Sequence, residues 1–276
     1  MSRLWRDRVY AALAPDRIVL VRTHGGLGPK VAAKATMPVA RDTTGGWKPP
    51  LAELGQALRT QSKWQDAALM VVLSNAFVRY QIVPWSEAVD TDAERTAYVR
   101  QSFAQVYGEA SAGWVYQISE SGPGAPWLAG AIDRALLTQL EAAAEAARCT
   151  LVSVQPRLMP AFNSARSLLK EKNCWFVQQD QDRLLLALIL GGQWRAIGSR
   201  RAEAADWLAE LPLALEREWR MQGAGEIPRA VYLSAPEMRQ TTRAGGGSWV
   251  YHWLPTRVKH GLDGQADAAY AAMLGA

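Results

Sequence analysis

The chain has few reactive side chains and no long hydrophobic run. It has two cysteines, Cys149 and Cys174, in 276 residues, and each adjoins a predicted strand. We therefore expect two buried, reduced thiols and no disulfide framework. The longest aliphatic run, Leu184–Leu190, has seven residues, whereas a membrane-spanning helix needs about 20. The first residues are charged and lack the apolar core of a secretion signal. These absences predict a soluble, cytoplasmic protein whose membrane location, if any, comes through a partner.

Common catalytic and metal-binding motifs are also missing. None of the three histidines has a cysteine or carboxylate at metal-ligand spacing, which argues against a zinc site. The glycine-rich stretch Gly25–Lys30 lacks the spacing of a phosphate-binding loop, and Pro29 removes a backbone donor that such a loop would need. Asp180 and Asp182 could act as paired acids, but they lie in a predicted polar turn, where aspartate is favoured for backbone reasons.

What is present is the composition of an ordinary folded protein. Hydrophobic residues make up 49% of the sequence and charged residues 21%, which excludes a disordered tail and a fibrous repeat. The formal net charge is +5, and both halves of the chain share the excess. A nucleic-acid binder would more often concentrate its basic residues in one segment, so we expect no nucleic acid as a partner.

Hydrophobic periodicity and turn residues predict the same order of elements twice. The first copy has three strands, a helix and a strand, at residues 8–14, 18–21, 30–38, 51–62 and 67–73. The second copy has the same order at residues 174–177, 183–190, 193–199, 202–221 and 229–233. Each copy is therefore βββαβ, and the repeat lies in the order of elements because the copies share no clear residue identity.

The stretch between the copies predicts an inserted subdomain at about residues 76–132. Its predicted strands and helix lie at 77–84, 91–107, 114–119 and 127–132. A helix, a strand and a second helix follow at 134–147, 150–154 and 158–171, and Pro156 marks the boundary between two lobes. The predicted lobes are 1–156, which includes the insertion, and 157–276, which ends with a strand and a helix at 249–254 and 264–274.

The segment 71–86, with the sequence VVLSNAFVRYQIVPWS, resembles a known family. Its Leu-Ser-Asn, Phe-Val-Arg-Tyr and Pro-Trp elements are similar to a stretch that recurs in PilM-like pilus-assembly proteins and in the cytoplasmic part of GspL-like secretion proteins. Two βββαβ copies with an insertion in the first are also the organisation of their fold. The resemblance implies an α/β protein with a duplicated actin-like (ribonuclease H-like) fold.

The resemblance also implies where a nucleotide site would lie, and this chain departs from the family there. The Asp-Ile-Gly-Ser phosphate loop of PilM-like proteins corresponds to a stretch with Ala12 in place of the acid and Ala14 in place of the glycine. The Asp-x-Gly position of the second hairpin is Gln178–Asp180, and the Leu-Ser-Gly-Gly position is Leu233–Pro236. Because Mg²⁺ prefers carboxylate oxygens and phosphate nests need open N–H groups, we expect no nucleotide, no metal and no catalytic residue.

A docking role is what the resemblance implies. PilM-like proteins bind the cytoplasmic tail of a single-pass, PilN-like inner-membrane protein and touch the assembly ATPase. We therefore expect a catalytically silent scaffold of a type IV pilus or type II secretion platform, bound to a PilN-like or GspM-like tail, with indirect membrane contact. The alternative is an active ATPase or small-molecule kinase of the same fold with a reorganised site that uses Asp16 and Asp180.

Two interpretations of the segment 71–86 stay open at this point. Ser74 and Asn75 can cap a tight turn, and the apolar side chains can pack on a sheet. Alternatively, Arg79, Tyr80 and Trp85 help to form a surface for a partner peptide. These three are the predicted partner-binding residues.

Overall fold

The computed structural model places the chain in two compact units. It describes residues 6–40, 46–119, 121–180, 183–201, 207–222, 225–236, 248–256, 260–263 and 266–274. The first unit comprises Met1–Val78, Ile132–Ser164 and Thr256–Ala276, and the second comprises Arg79–Ala131 and Ala165–Pro255.

Strands and helices follow one another in nearly the predicted order. The strands are β1 (Arg8–Ala14), β2 (Arg17–Thr23), β3 (Val31–Pro38), β4 (Ala68–Leu73), β5 (Arg79–Val83), β6 (Trp114–Ser119), β7 (Trp127–Asp133), β8 (Thr150–Pro156), β9 (Cys174–Asp180), β10 (Arg183–Leu190), β11 (Gln193–Arg201), β12 (Ala230–Ser234) and β13 (Val250–Trp253). The helices are α1 (Lys48–Thr60), α2 (Asp92–Tyr107), α3 (Arg134–Ala146), α4 (Leu158–Ala165), α5 (Trp207–Gln222) and α6 (Ala268–Leu274).

The first unit is built on a five-stranded sheet in the order β3-β2-β1-β4-β8. β1 and β2 form a tight hairpin, with Ala14 opposite Arg17, and β1 runs parallel to β4. The central strands are almost wholly apolar, as expected for strands that are covered on both faces. Helices α1 and α3 pack against each other, and α1 buries Leu51, Leu54 and Leu58, which lie on one side at helical spacing.

Helix α6 also packs on the first sheet. Leu262 and Ala271 lie in a buried cluster with Tyr10, Val19 and Val21 of strands β1 and β2. The side chain of Lys34 on β3 binds Asp267, which precedes α6. The packing therefore differs from the predicted lobes of 1–156 and 157–276, because this apolar cluster joins 256–276 to the first unit, while 79–131 belongs to the second.

The second unit repeats the first sheet, with the strand order β11-β10-β9-β12-β13. As in the first sheet, the three strands that come first in the chain are antiparallel neighbours: β10 lies between β9 and β11. Strands β12 and β13 both run parallel to β9. Helix α5 buries Trp207, Leu211 and Leu215 against Trp175 and Val177 of β9. The predicted duplicated βββαβ organisation is therefore confirmed.

A second, three-stranded sheet of the second unit, in the order β5-β7-β6, follows β4 in the chain as predicted. Helix α2 covers it, and Val99 and Phe103 of this helix are buried together with Val83, Trp127 and Ala129. Thr91 caps α2 in a capping box with Glu94, which satisfies two of the backbone N–H groups at the helix start.

Two local predictions need correction. Gln178–Asp180 do not lie in a polar turn but extend β9, because the long apolar strand β10 pairs with β9 as far as Arg183 opposite Asp180. The predicted strand at 77–84 starts later, because Asn75–Phe77 form a 3₁₀ turn. Asp182, residues 202–206 of the predicted helix and the glycines at 245–247 lie outside the described residues.

Both cysteines are buried and form no disulfide, as expected. Burial raises the pKa of Cys174 to about 12, so this thiol stays protonated and unreactive at neutral pH. Among the helices in the described ranges, none combines the length and the apolar content that crossing a bilayer requires.

The ion pair between Lys34 and Asp267 yields a pH-dependent prediction. The hydrogen bond from Lys34 lowers the pKa of Asp267, so the pair stabilises the fold above the ordinary carboxyl pKa, and this contribution is lost as pH falls through the lowered value. We expect Asp267→Asn to reduce the free energy of unfolding at pH 7, by a margin that shrinks below about pH 4. Urea unfolding at several pH values measures this margin. Glu216→Gln, which removes an exposed ion pair within α5, is the control and should change little.

Candidate partner-binding site

The segment that carries the family resemblance leaves β4 through a capped turn. Ser74 Oγ accepts a hydrogen bond from the Ala76 N–H at 3.2 Å, and the Ser74 N–H donates to the Leu13 carbonyl at the end of β1 at 2.8 Å. Ser74 and Asn75 are only 3% and 1% exposed. The Leu-Ser-Asn element is thus used inside the fold, which supports the capping interpretation of these two residues.

The three predicted partner-binding residues differ in exposure. Arg79 begins β5 and is exposed, whereas Tyr80 and Trp85 are half-buried. Trp85 packs against the buried cluster beneath α2. None of the tryptophans among the described residues is exposed, so the tryptophans that the structure describes contribute to cores more than to open surface. Arg79 is therefore the most accessible of the three predicted residues.

Tyr80 lies near the end of β9 within the second unit. Burial raises the pKa of Tyr80 well above its ordinary value, and the negative charge of Asp180 raises it further. Asp180 is itself 2% exposed. A neutral phenol beside a buried carboxylate is a stable arrangement, because ionising the phenol would place two negative charges in a region of low dielectric. Strand β5, which carries Tyr80, contacts β11 of the five-stranded sheet.

In the first unit, the position at which the resemblance implies a phosphate loop is a hairpin turn. Ala12 packs beside the apolar cluster of Tyr10 and Val19 beneath α6, and Ala14 is 7% exposed. Pro15 follows in the turn and has no backbone N–H. The methyl groups of Ala12 and Ala14 thus occupy the positions at which the resemblance implies a metal-site acid and a glycine.

In the second unit, polar residues end the parallel strands β9 and β12. Gln178 and Asp180 are 1% and 2% exposed, and Ser234 lies opposite Gln178 in the sheet. The next residue, Ala235, is buried in the core beneath α5. Carboxyl ends of parallel strands are where α/β sheets bind ligands, but this stretch has no glycine. Nor do the described residues contain a group of three side chains suited to holding a metal ion.

Comparisons with known proteins place this geometry in a fold. No family model and no curated protein match the sequence. A chain of the PilM–PilN type IV pilus biogenesis complex matches with a TM-score of 0.58 and 18% identity, over 84% of this chain and 81% of that chain. The cytoplasmic domain of EpsL, an inner-membrane component of the type II secretion system of Vibrio cholerae, matches with a TM-score of 0.55 and 13% identity, over 98% and 94%.

A third similar structure has an actin-like ATPase fold. A protein of unknown function from Bacteroides thetaiotaomicron with an actin-like ATPase fold matches with a TM-score of 0.53 and 9% identity, over 84% of this chain and 82% of that chain. This chain has an actin-like fold. The expected structural resemblance to PilM-like and GspL-like proteins is confirmed by the two matches above.

Within the actin-like fold, sequence analysis missed the burial of Gln178 and Asp180 and the contribution of Tyr80 to packing. The length of β10 was a signal for the burial of Gln178 and Asp180. Strand β10 has eight residues, Arg183–Leu190, and the predicted partner strand 174–177 has only four. That partner would leave half of the backbone groups of β10 without hydrogen bonds on that side. No comparable signal in the sequence brings Tyr80 and Asp180 together.

The raised pKa of Tyr80 predicts a loss of stability in alkaline solution. The folded actin-like chain keeps this phenol protonated while the unfolded chain ionises it, so stability falls as pH rises through the ordinary tyrosine pKa of about 10. As pH rises from about 9 to 11, we expect the wild type to lose free energy of unfolding through Tyr80, a loss that Tyr80→Phe does not share, so the stability difference shifts in favour of the variant. Urea unfolding across this range measures the difference. Asp180→Asn should lower the pKa of Tyr80 and weaken the trend, and parallel curves for wild type and Tyr80→Phe would contradict the assignment.

Proposed function

We propose that this chain is a catalytically silent, actin-like scaffold in a type IV pilus or type II secretion assembly platform. The observation that carries the proposal is the structural match to one protein of each kind, over 84% and 98% of this chain. One of these structures is a complex of PilM with PilN. By analogy, this chain binds the cytoplasmic tail of a PilN-like or GspM-like single-pass protein.

Catalytic silence is supported by the residues at the three nucleotide positions. Ala12 offers no oxygen to a metal ion, and Pro15 offers no N–H to a phosphate. Gln178 replaces the second acid, and Ala235 takes the place of a glycine while packing in the core. These residues do not fit a magnesium nucleotide, so the proposed function includes neither nucleotide nor metal.

The proposed place of the chain in the cell follows from the same analogy. EpsL is an inner-membrane component, and a tail-binding scaffold would lie at the cytoplasmic side of that membrane. The assembly ATPase of the same platform is the further partner that we propose. In this role, the partner protein supplies the membrane attachment.

A second candidate function is an ATPase or small-molecule kinase with a reorganised site. Asp180 favours it, because this carboxylate lies at the carboxyl end of a parallel strand, where α/β sheets bind ligands. Asp16, in the turn between β1 and β2, is the second acid that this candidate would use.

A thermal shift with magnesium ATP distinguishes the two functions. A ligand at a hundred times its Kd stabilises a protein by about 2.7 kcal/mol, which raises Tm by roughly 5–10 °C for a chain of this size. We expect no rise with millimolar magnesium ATP. A rise that Asp16→Ala and Asp180→Ala together abolish would favour the enzyme and overturn catalytic silence.

Tail binding is tested directly by calorimetry. The ligand is a synthetic peptide with the cytoplasmic tail sequence of a PilN-like or GspM-like single-pass membrane protein from the same genome. We expect the wild-type chain to bind it, and Arg79→Glu to bind about tenfold more weakly through loss of one charged hydrogen bond. The matched control is Arg217→Glu, which reverses an exposed charge on α5 in the same unit.

The calorimetry has two informative negative results. If the wild-type chain does not bind the tail, the docking function is wrong. If it binds and Arg79→Glu binds equally well, the docking function stands and the assignment of Arg79 is wrong.

A further inference from the structure

One edge of the first sheet, formed by the ends of its five strands and not by an outer strand, brings together residues that lie far apart in the sequence. The strand register aligns Val31, Thr23, Arg8, Ala68 and Thr150 in a single row across all five strands. The segments that precede β1, β4 and β8, and the loop that joins β2 to β3, therefore all leave the sheet at this edge.

This edge is strongly basic, and we name it the basic edge. Its six cations are Arg6, Arg8, Arg22, Lys30, Lys63 and Arg148. Two of the acids at this edge are each paired with an arginine: Asp7 lies 2.7 Å from Arg22, and Asp66 lies 2.7 Å from Arg148. An exposed glutamate, Glu145, stands in the last turn of α3.

Four cations of the basic edge form no ion pair among the described residues. Arg6, Arg8, Lys30 and Lys63 are exposed, and of these four only Arg6 lies close enough to a carboxylate to lower its pKa, that of Asp66. Arg6 donates to the Thr150 hydroxyl at 2.7 Å, and Lys63 lies over a tryptophan ring. The carbonyl ends of α1 and α3 lie at this edge and attract nearby cations, but this effect fades within one helical turn and does not account for Lys30.

An exposed leucine projects from the same edge. Leu27, in the loop between β2 and β3, is 96% exposed, more than any other large apolar side chain of the described residues. The base of the loop is fixed, because the His24 N–H donates to the Lys30 carbonyl at 3.0 Å and the Gly25 N–H donates to Asp7 at 3.1 Å. Leu27 is therefore presented to solvent by an anchored loop, with Lys30 beside it.

We propose that the basic edge and Leu27 form a contact surface for an anionic membrane. A bilayer offers negative headgroups above an apolar layer, so it can neutralise the cations and bury the leucine at once. An acidic peptide or a nucleic acid would engage the cations but has no need of a projecting leucine. The surface belongs to the first unit, whereas Arg79 belongs to the second, so this proposal does not rest on tail binding.

Sedimentation with lipid vesicles tests this proposal on the full chain. We expect the wild type to bind vesicles that contain about 30% phosphatidylglycerol and not vesicles of phosphatidylcholine alone. Raising the salt to about 1 M should abolish binding, because the screening length then falls to roughly 3 Å. Each cation near an anionic surface contributes about a fivefold factor to partitioning, so Lys30→Gln with Lys63→Gln should weaken it about 25-fold.

Leu27→Asn separates a membrane from other anionic partners. We expect this variant to lose about tenfold in vesicle partitioning and to bind heparin as the wild type does. The matched controls are Leu213→Asn, which replaces a leucine that is 70% exposed on α5, and Arg217→Gln with Arg220→Gln. These controls should partition as the wild type does.

Several outcomes would overturn the proposal. The proposal is wrong if the wild type does not bind the vesicles that contain phosphatidylglycerol. It is also wrong if the controls on α5 lose as much binding as the variants of the basic edge. If vesicle binding is unchanged in Leu27→Asn while heparin competes for it, the basic edge binds a polyanion such as an acidic protein or a nucleic acid. All substituted side chains are exposed, so the variants should keep the wild-type Tm.

Discussion

The parallel pairing of the first and fourth strands in each sheet is the constraint on which the rest of the structure depends. Val9–Leu13 of β1 lie beside Leu69–Leu73 of β4, and Trp175–Val177 of β9 lie beside Val231–Leu233 of β12. These central strands are buried, so a shift of register by one residue would turn apolar side chains away from the cores that they fill. The pairing thereby sets where the loops leave the sheet, including the hairpin at which the resemblance implies a phosphate loop and the segments of the basic edge.

The residues at the positions where the resemblance implies a nucleotide site contribute to packing in this chain. Ala12 packs beside the cluster under α6, Ala235 fills part of the core under α5, and Asp180 lies near the phenol of Tyr80. The methyl groups of Ala12 and Ala235 fill packed space at these positions, which supports the proposed absence of a nucleotide. A fold that often serves catalysis can in this way keep its architecture while the proposed work passes to its surface.

Local patterns in the sequence were sufficient to predict the order of elements and the duplication. The long apolar run of β10 and the helical spacing of Leu51, Leu54 and Leu58 are signals of this kind. Two features could not be predicted, because they depend on pairs that are distant in the chain. The net charge is shared by both halves of the sequence, yet the register collects Arg6, Lys63 and Arg148 at one edge. The closeness of Asp180 to Tyr80, a residue of the inserted subdomain, likewise joins distant parts of the chain.

The packing of α6 on β1 and β2 has a consequence for the order in which the chain is made. In the sequence, every residue of the second unit comes between segments of the first. A ribosome therefore completes the second unit while the first still lacks α6. Until α6 emerges, the face formed by Tyr10, Val19 and Val21 has no cover. A nascent chain of this protein therefore carries an exposed apolar sheet face through most of its synthesis, and such a face is a binding site for chaperones.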